Sequence, residues 1–137
     1  MAGSINGGDN ATIRYLAAGL AFASELIHLW VLPGQLVAAV LPGLFFLLVA
    51  MGQGFLAVSL LFGPGKWALR FGILLNLTIV FAWALTRVVS VPELFEPIRL
   101  PIGSLDLAAT AVEITLVVLL VRLRKDLPSK KSKRRVR

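Results

Sequence analysis

The sequence predicts an all-α fold, a four-helix transmembrane bundle, from its composition, its four long apolar runs and the positions of its prolines. The hydrophobic fraction of the 137 residues is 58% and the charged fraction is 15%. Soluble domains usually carry about 45 to 50% apolar and about 25% charged residues. The lipid bilayer is therefore the expected solvent, and the length suits a single domain.

Each apolar run is close to the roughly 20 residues that a helix needs to cross the hydrocarbon core of a bilayer. The predicted spans are 12–31, 43–62, 67–89 and 104–123. All seven prolines fall outside these ranges, and because proline disrupts a helix interior, they are expected to mark the connections. The short first and second connections force neighbouring helices to be antiparallel, which predicts an up-down-up-down order.

The segments outside this membrane domain, which covers residues 11–123, differ sharply in charge. Residues 1–10, MAGSINGGDN, are polar and glycine-rich and are expected to be flexible. They lack the cationic start of a signal peptide, so the first span is expected to be retained. Residues 124–137 form a basic tail that directly follows the last span.

The positions of lysine and arginine predict the orientation. Arg14 precedes span one, Lys66 and Arg70 lie at the second connection, and the basic tail follows span four. The first connection, LPGQLVAAVLP, carries no charge, and the third, SVPELFEPIRLPIG, is expected to be the longest exposed loop. Because basic loops stay on the cytoplasmic side, both termini are predicted to be cytoplasmic. Trp30 and Trp67 lie at span ends, where indole rings favour the headgroup region.

The net charge of +7 is concentrated in the tail, where residues 122–137 hold nine lysines and arginines and one aspartate. The rest of the chain is close to neutral, which argues against a nucleic-acid-binding domain. The tail is expected to contact anionic lipid headgroups, and docking to nucleic acid or to a protein partner is the alternative. The chain has no cysteine, which excludes disulfides and thiolate metal sites.

A few polar side chains interrupt the spans, and because they are costly in hydrocarbon, they are expected to face the bundle interior. Glu25 and His28 share one helix face, and Asp106, Thr110 and Glu113 share another. Counting about 1.5 Å per residue from the middle of each span places Gln53 and Asn76 within a few turns of these residues, and it places Arg87 level with Asp106. We therefore predict a polar core near the middle of the bundle, whose ionisable members are Glu25, His28 and Glu113 and whose other members are Gln53 and Asn76. We also predict an ion pair of Arg87 with Asp106 at the outer rim.

Several roles for this polar core remain open at the sequence level. Interhelical hydrogen bonds alone justify it, at about 0.6 to 2 kcal/mol each. Glu25, His28 and Glu113 form a two-carboxylate, one-histidine set that suits a single iron, manganese or zinc ion. His28 alone suffices as an axial tetrapyrrole ligand. Buried carboxylates also serve as relays in proton or solute paths, which in four helices would require an oligomer.

Motifs of common enzymes do not occur in this sequence. We find no GxSxG, Walker A or HExxH, and no GxGxxG following a strand. A hydrolytic triad is not expected either, because Ser24 is predicted to lie on a different face from His28. No catalytic residue is predicted, and enzymatic activity has no support in the sequence.

Four stretches resemble, in order, a widespread group of small uncharacterised four-span bacterial membrane proteins. They are span one with His28 before a Leu-Pro, LFFLLVAMGQG, NLTIVFAWALTRVVSVP and GSLDLAATAVE. The resemblance covers roughly residues 11–123, and the positions matching the group's polar signature are His28, Gln53, Asn76, Arg87, Asp106 and Glu113. It implies a multi-pass protein of the bacterial cytoplasmic (inner) membrane without an assigned activity. The first connection is more apolar than the acidic and aromatic version typical of the group.

The function that these observations favour is a non-enzymatic accessory or scaffold subunit of a larger membrane complex. One alternative is a metal- or tetrapyrrole-binding membrane protein that uses His28 with Glu25 and Glu113. Another is a small transporter or channel subunit that acts as a homo-oligomer.

Overall fold

The computed structural model describes residues 5–38, 40–88 and 103–127. These residues form four α-helices: α1 Ile5–Ala38, α2 Val40–Phe62, α3 Lys66–Val88 and α4 Ser104–Asp126. Each helix contains a stretch long and apolar enough to cross a membrane. The prediction of an all-helical fold with four candidate membrane spans is confirmed.

The helices contact each other around a ring. Helix α1 packs against α2 and α4, and α3 packs against α4 and α2. Across the described ranges, the backbones of α1 and α3 do not approach each other closely, and neither do those of α2 and α4. Side chains from all four helices therefore meet in one central core.

The predicted first connection is almost entirely helical, which differs from the expectation based on proline. Pro33 lies inside α1, and Pro42 lies in the first turn of α2. A first-turn proline is tolerated because its missing N–H has no intrahelical partner there. Pro33 removes one helical hydrogen bond, whereas ending the helix in an apolar environment would leave more backbone groups unpaired. Proline is thus a weaker helix terminator here than in water.

Gly43 explains how α1 and α2 follow each other so closely. A Cβ atom at Gly43 would lie 2.9 Å from the Cα atom of Leu36, too close for any side chain without a backbone shift. The absence of a side chain at this position allows the end of α1 and the start of α2 to approach each other.

Other helix ends also extend beyond the predicted spans. Helix α1 begins at Ile5, so most of the N-terminal segment expected to be flexible is helical. Once an apolar span has formed a helix, each added residue contributes a hydrogen bond, so polar flanks can continue it. Helix α4 continues to Asp126. Residues 1–4, nearly all of the predicted third connection and residues 128–137 of the basic tail lie outside the described residues.

The connection between α2 and α3 is a tight turn. Gly63 follows the last residue of α2 with a φ of +100°, a conformation that favours glycine, and Pro64 comes next. The N–H of Leu69 donates to the carbonyl of Gly65 at 3.2 Å, which closes the first turn of α3. The start of α1, this turn and the end of α4 line one cavity. We call this end of the bundle the Arg14 end.

Buried side chains of two kinds form two successive layers along the axis of the bundle. Nearer the Arg14 end lies the leucine layer, whose members have no exposed surface: Leu56, Leu60, Leu69, Leu116 and Leu120. Farther from that end lies the polar layer, whose members are all buried: Ser24, His28, Gln53, Asn76, Thr110 and Glu113. The outer surface is rich in exposed apolar side chains, including both tryptophans predicted at span ends, Trp30 and Trp67. This distribution suits a bundle surrounded by lipid.

Candidate functional site

His28 is held by the preceding turn of its own helix. Its Nδ1 atom lies 2.7 Å from the carbonyl oxygen of Ser24 and 3.3 Å from the Ser24 hydroxyl. A carbonyl oxygen only accepts hydrogen bonds, so Nδ1 carries a hydrogen. In a neutral imidazole, the other ring nitrogen, Nε2, then has a free lone pair. The local helix geometry thus determines the tautomer of His28.

The Nε2 atom of His28 faces a carboxyl group from another helix. It lies 3.4 Å from Oε1 of Glu113 on α4, and the two residues are only 4% and 1% exposed. The contact is favourable when one proton lies between the two groups, either on Nε2 beside a carboxylate or on the carboxyl beside the lone pair. His28 and Glu113 thus form a buried contact between two ionisable groups that connects α1 to α4, at a distance and angle that leave the Glu113 Oε1 atom without a hydrogen bond among the described residues.

Glu25 does not join this pair. It is partly buried and faces α2, where a Cβ atom at Gly54 would lie 2.5 Å from its Oε1 atom. Residues three apart on a helix differ by about 60° in direction around the axis, so Glu25 and His28 face different neighbouring helices. Glycine at position 54 leaves the space that the Glu25 carboxyl occupies.

The predicted metal site is therefore only partly assembled. His28 and Glu113 meet, but Glu25 lies elsewhere, and no three His, Asp or Glu side chains of the described chain form a group that could hold a metal ion. The residues fit a tetrapyrrole no better. Glu113 covers the Nε2 atom that an axial ligand must offer, and the ring centroid of Phe46 lies 5.7 Å from that of His28.

Gln53 and Asn76 form the second contact of the polar layer and connect α2 to α3. The Gln53 amide donates to Oδ1 of Asn76 at 3.0 Å, and the Asn76 amide donates to the carbonyl of Gly72 at 2.8 Å. Both side chains are completely buried, and the Gln53 carbonyl oxygen has no hydrogen-bond partner among the described residues. Sequence reasoning placed these two residues in the core but did not pair them.

The predicted outer-rim residues lie together at the end of the bundle opposite the Arg14 end. The Arg87 guanidinium on α3 contacts the Asp106 carboxylate on α4, and both side chains are partly exposed. The guanidinium also lies over the ring of Trp83, with its carbon 5.7 Å from the ring centroid. Thr110 donates to the backbone carbonyl of Asp106 at 2.9 Å.

Taken together, three of the four neighbouring helix pairs are joined by a contact between two polar side chains. These contacts are Gln53 with Asn76 for α2 and α3, Arg87 with Asp106 for α3 and α4, and His28 with Glu113 for α1 and α4. In the remaining pair, α1 and α2, the Glu25 carboxyl packs against Gly54. Most of the polar side chains in the spans are therefore used within the chain.

Sequence reasoning missed Ser24. The expectation that Ser24 and His28 lie on different helix faces is wrong, because both the hydroxyl and the carbonyl of Ser24 contact the imidazole. The spacing of four residues was the available signal, since such residues lie one above the other on a helix.

Fold and site together define a multi-pass helical membrane protein with a layer of paired polar side chains in its core. No known protein family, curated protein or solved structure matches the chain. The resemblance to small four-span bacterial membrane proteins stays a prediction.

Proposed function

We propose that this protein is a non-enzymatic accessory or scaffold subunit of a larger complex in the bacterial cytoplasmic membrane. The observation that supports the proposal is a contact between two polar side chains at three of the four helix–helix interfaces: Gln53 with Asn76, Arg87 with Asp106, and His28 with Glu113. In lipid, polar contacts between helices select the neighbours and the register. A subunit with a defined register presents a constant outer surface to a partner, which is the property that a scaffold requires.

Native purification tests this proposal. We expect the chain, expressed at its natural level and extracted in mild detergent, to elute with a larger membrane protein at a constant ratio. Light scattering measures the protein mass, and mass spectrometry identifies the partner. A natively expressed chain that elutes alone at its own mass of 14.8 kDa would contradict the proposal.

We propose an up-down-up-down topology with both termini in the cytoplasm. Support comes from a cavity that is lined jointly by the start of α1, the turn after α2 and the end of α4. It also comes from the basic residues at the Arg14 end, because basic segments favour the cytoplasmic side.

Single cysteines test the topology without background, because the chain has none of its own. We expect Gly8→Cys and Gly65→Cys to react with a membrane-impermeant maleimide only after the cells are opened, and Glu96→Cys to react in intact cells. The reverse labelling pattern would overturn the orientation, and different behaviour of Gly8→Cys and Gly65→Cys would overturn the topology.

The contact between His28 and Glu113 favours a second candidate function, a proton or small-solute path within an oligomer of this chain. Two buried ionisable groups in contact provide a place where a proton can move from one side chain to another. We expect proton flux into liposomes to be lost with Glu113→Gln and kept with Glu25→Gln, the matched change on a carboxyl outside the pair. Absence of flux with the unaltered protein would eliminate this candidate.

A further inference from the structure

The Arg14 end contains two adjoining cavities that the proposed function does not use. The larger, of about 450 Å³, is lined by residues including Asn10, Arg14, Leu69, Leu123 and Asp126. The smaller, of about 290 Å³, shares Asn10 and Asp126 with it. The larger volume lies within the range of about 300 to 1,000 Å³ that is typical of sites for small ligands.

The smaller cavity also includes Asp9 and Arg122, so together the two cavities hold two cationic and two anionic side chains. None of the four has an oppositely charged partner among the described residues, whose salt bridges involve other side chains. Such a combination leaves charges of both signs available to a ligand.

Arg14 is the best positioned of these groups. Its Nε atom is buried and has no hydrogen-bond partner among the described residues. One terminal nitrogen donates to the Tyr15 hydroxyl at 3.3 Å, and the guanidinium carbon lies 5.0 Å from the centroid of the Tyr15 ring. Arg14 lines the larger cavity, and a guanidinium held by stacking suits a phosphate group, whose oxygens match its planar fork.

The charge pattern restricts the class of ligand. A simple anion would be repelled by Asp9 and Asp126, and a simple cation by Arg14 and Arg122. A molecule with a phosphate and an ammonium group satisfies both signs. A primary ammonium is favoured over a quaternary one, because it donates hydrogen bonds to a carboxylate, whereas quaternary ammonium sites are built from aromatic rings. The residues that line these cavities include no aromatic side chain within the described chain.

The surroundings indicate a lipid and not a soluble molecule. Leu123 and Leu127 supply apolar lining beside the charged groups. Trp67, at the start of α3 on the same end, is 81% exposed and lies under Arg70, with the guanidinium carbon 5.9 Å from its ring centroid. Exposed tryptophan is typical of the depth at which lipid headgroups lie.

We propose that these cavities bind the headgroup of a phospholipid with a primary ammonium, such as phosphatidylethanolamine. Arg14 contacts the phosphate, and Asp126 accepts hydrogen bonds from the ammonium. The proposal goes beyond the subunit role and shares with it only the location in a membrane. A failed lipid experiment therefore leaves the copurification experiment to decide the subunit role independently.

Native mass spectrometry of the full, delipidated chain in detergent tests the proposal. We expect phosphatidylethanolamine to bind about tenfold more tightly than phosphatidylcholine or phosphatidylglycerol, since one charge-assisted contact changes affinity by roughly this factor. Arg14→Gln and Asp126→Asn should each reduce its affinity by about tenfold. The matched control is Arg70→Gln, which removes a cation at the same end of the bundle but outside the cavities, and it should have no effect.

A steric variant tests the cavity with all charges in place. Ala11 lines the larger cavity, so Ala11→Phe should abolish selective binding, while Ala108→Phe on the exposed surface of α4 should not. Circular dichroism and elution volume verify that each variant is folded. Asp126→Asn changes an exposed helix end, so a folded variant should always be obtainable.

Four results would overturn the proposal. The first is equal binding of the three lipids, and the second is an equal loss with Arg70→Gln. The third is competition by soluble glycerophosphoethanolamine at the concentration of the lipid, which would assign the cavities to a soluble molecule. The fourth is binding that occurs only after deletion of residues 130–137, which would make the basic tail of the chain the occupant.

Discussion

The leucine layer and the polar layer are both buried, yet they contribute to the bundle in different ways. The leucine layer consists of interchangeable apolar groups, and its stability depends on how completely they fill the space. The polar layer contains two particular pairs, Gln53 with Asn76 and His28 with Glu113, and each connects a different pair of helices. Because lipid is as apolar as leucine, burial alone provides no preference for one neighbour over another. Close packing therefore stabilises the leucine layer, whereas specific contacts between polar side chains determine which helices are neighbours in the polar layer.

Glycine makes room for a neighbouring side chain both in the leucine layer and beside the polar layer. Gly72 lies where α3 meets Leu56 of α2 and Leu120 of α4, and Gly54 lies against the carboxyl of Glu25. At each position a side chain would collide with the neighbour. Small residues thus allow the close approach on which both kinds of contact depend.

The largest expected effect is in the leucine layer. Leu120→Ala should lower the free energy of unfolding by about 2 to 5 kcal/mol, because it removes packed methyl groups and leaves a cavity. Leu107→Ala on the same helix, where the leucine is 53% exposed, should change it by no more than about 0.5 kcal/mol. Reversible unfolding in mixed micelles measures both values. Equal losses would show that the leucine layer is not the packed part of the bundle.

The next effect concerns the glycine at the boundary between the two layers. A Cβ atom at Gly72 would lie 2.6 Å from Leu56 and 2.9 Å from Leu120, whose side chains are fully buried and have little space to move. Gly72→Ala should therefore cost about 1 to 3 kcal/mol through overpacking. Gly19→Ala meets open space and should instead stabilise α1 by up to about 1 kcal/mol. The unfolding measurement should give opposite signs, and matching signs would refute the close approach.

A smaller effect is expected in the polar layer. A double-mutant cycle of Gln53→Leu and Asn76→Leu should give a coupling energy of about 0.6 to 2 kcal/mol, the range for hydrogen bonds between membrane helices. The second substitution should cost less once the first has been made, since the partner is already lost. Strictly additive changes would mean that the two amides contribute independently.

The smallest effect is expected at the outer rim, where Arg87 and Asp106 are partly exposed. The coupling energy of Arg87→Ala and Asp106→Ala should be about 0.2 to 1 kcal/mol. Asp106→Ala should destabilise the protein by leaving a partly buried charge, and the double variant should recover part of that loss. Added salt should reduce the coupling, because exposed charges are screened. A coupling that is zero at low salt would contradict the pairing.

The depth of a residue in the bilayer, counted from the middle of its span, predicted some contacts of the site but not others. Counting residues from the middle of each span placed Arg87 and Asp106 at one level, and the structure brings them into contact. The same count could not separate Glu25 from His28, because they lie within one turn of each other. Which partner each residue contacts depends on the direction in which its side chain points from the α1 axis, and the positions of the neighbouring helices determine what lies in that direction.

From the sequence alone followed the four apolar segments that are long enough to cross a bilayer, each of which lies in one of the four helices of the described residues, but not the 34-residue length of α1. Crossing a bilayer depends on the count of consecutive apolar residues, a local property that a chain carries before it folds. The helical first connection with Pro33, the pairing of Gln53 with Asn76 and the separation of Glu25 from Glu113 were decided by the tertiary structure. The helical first connection follows from the cost of unpaired backbone groups in apolar surroundings. The other two depend on which surface of another helix lies opposite, and such contacts join residues far apart in the chain.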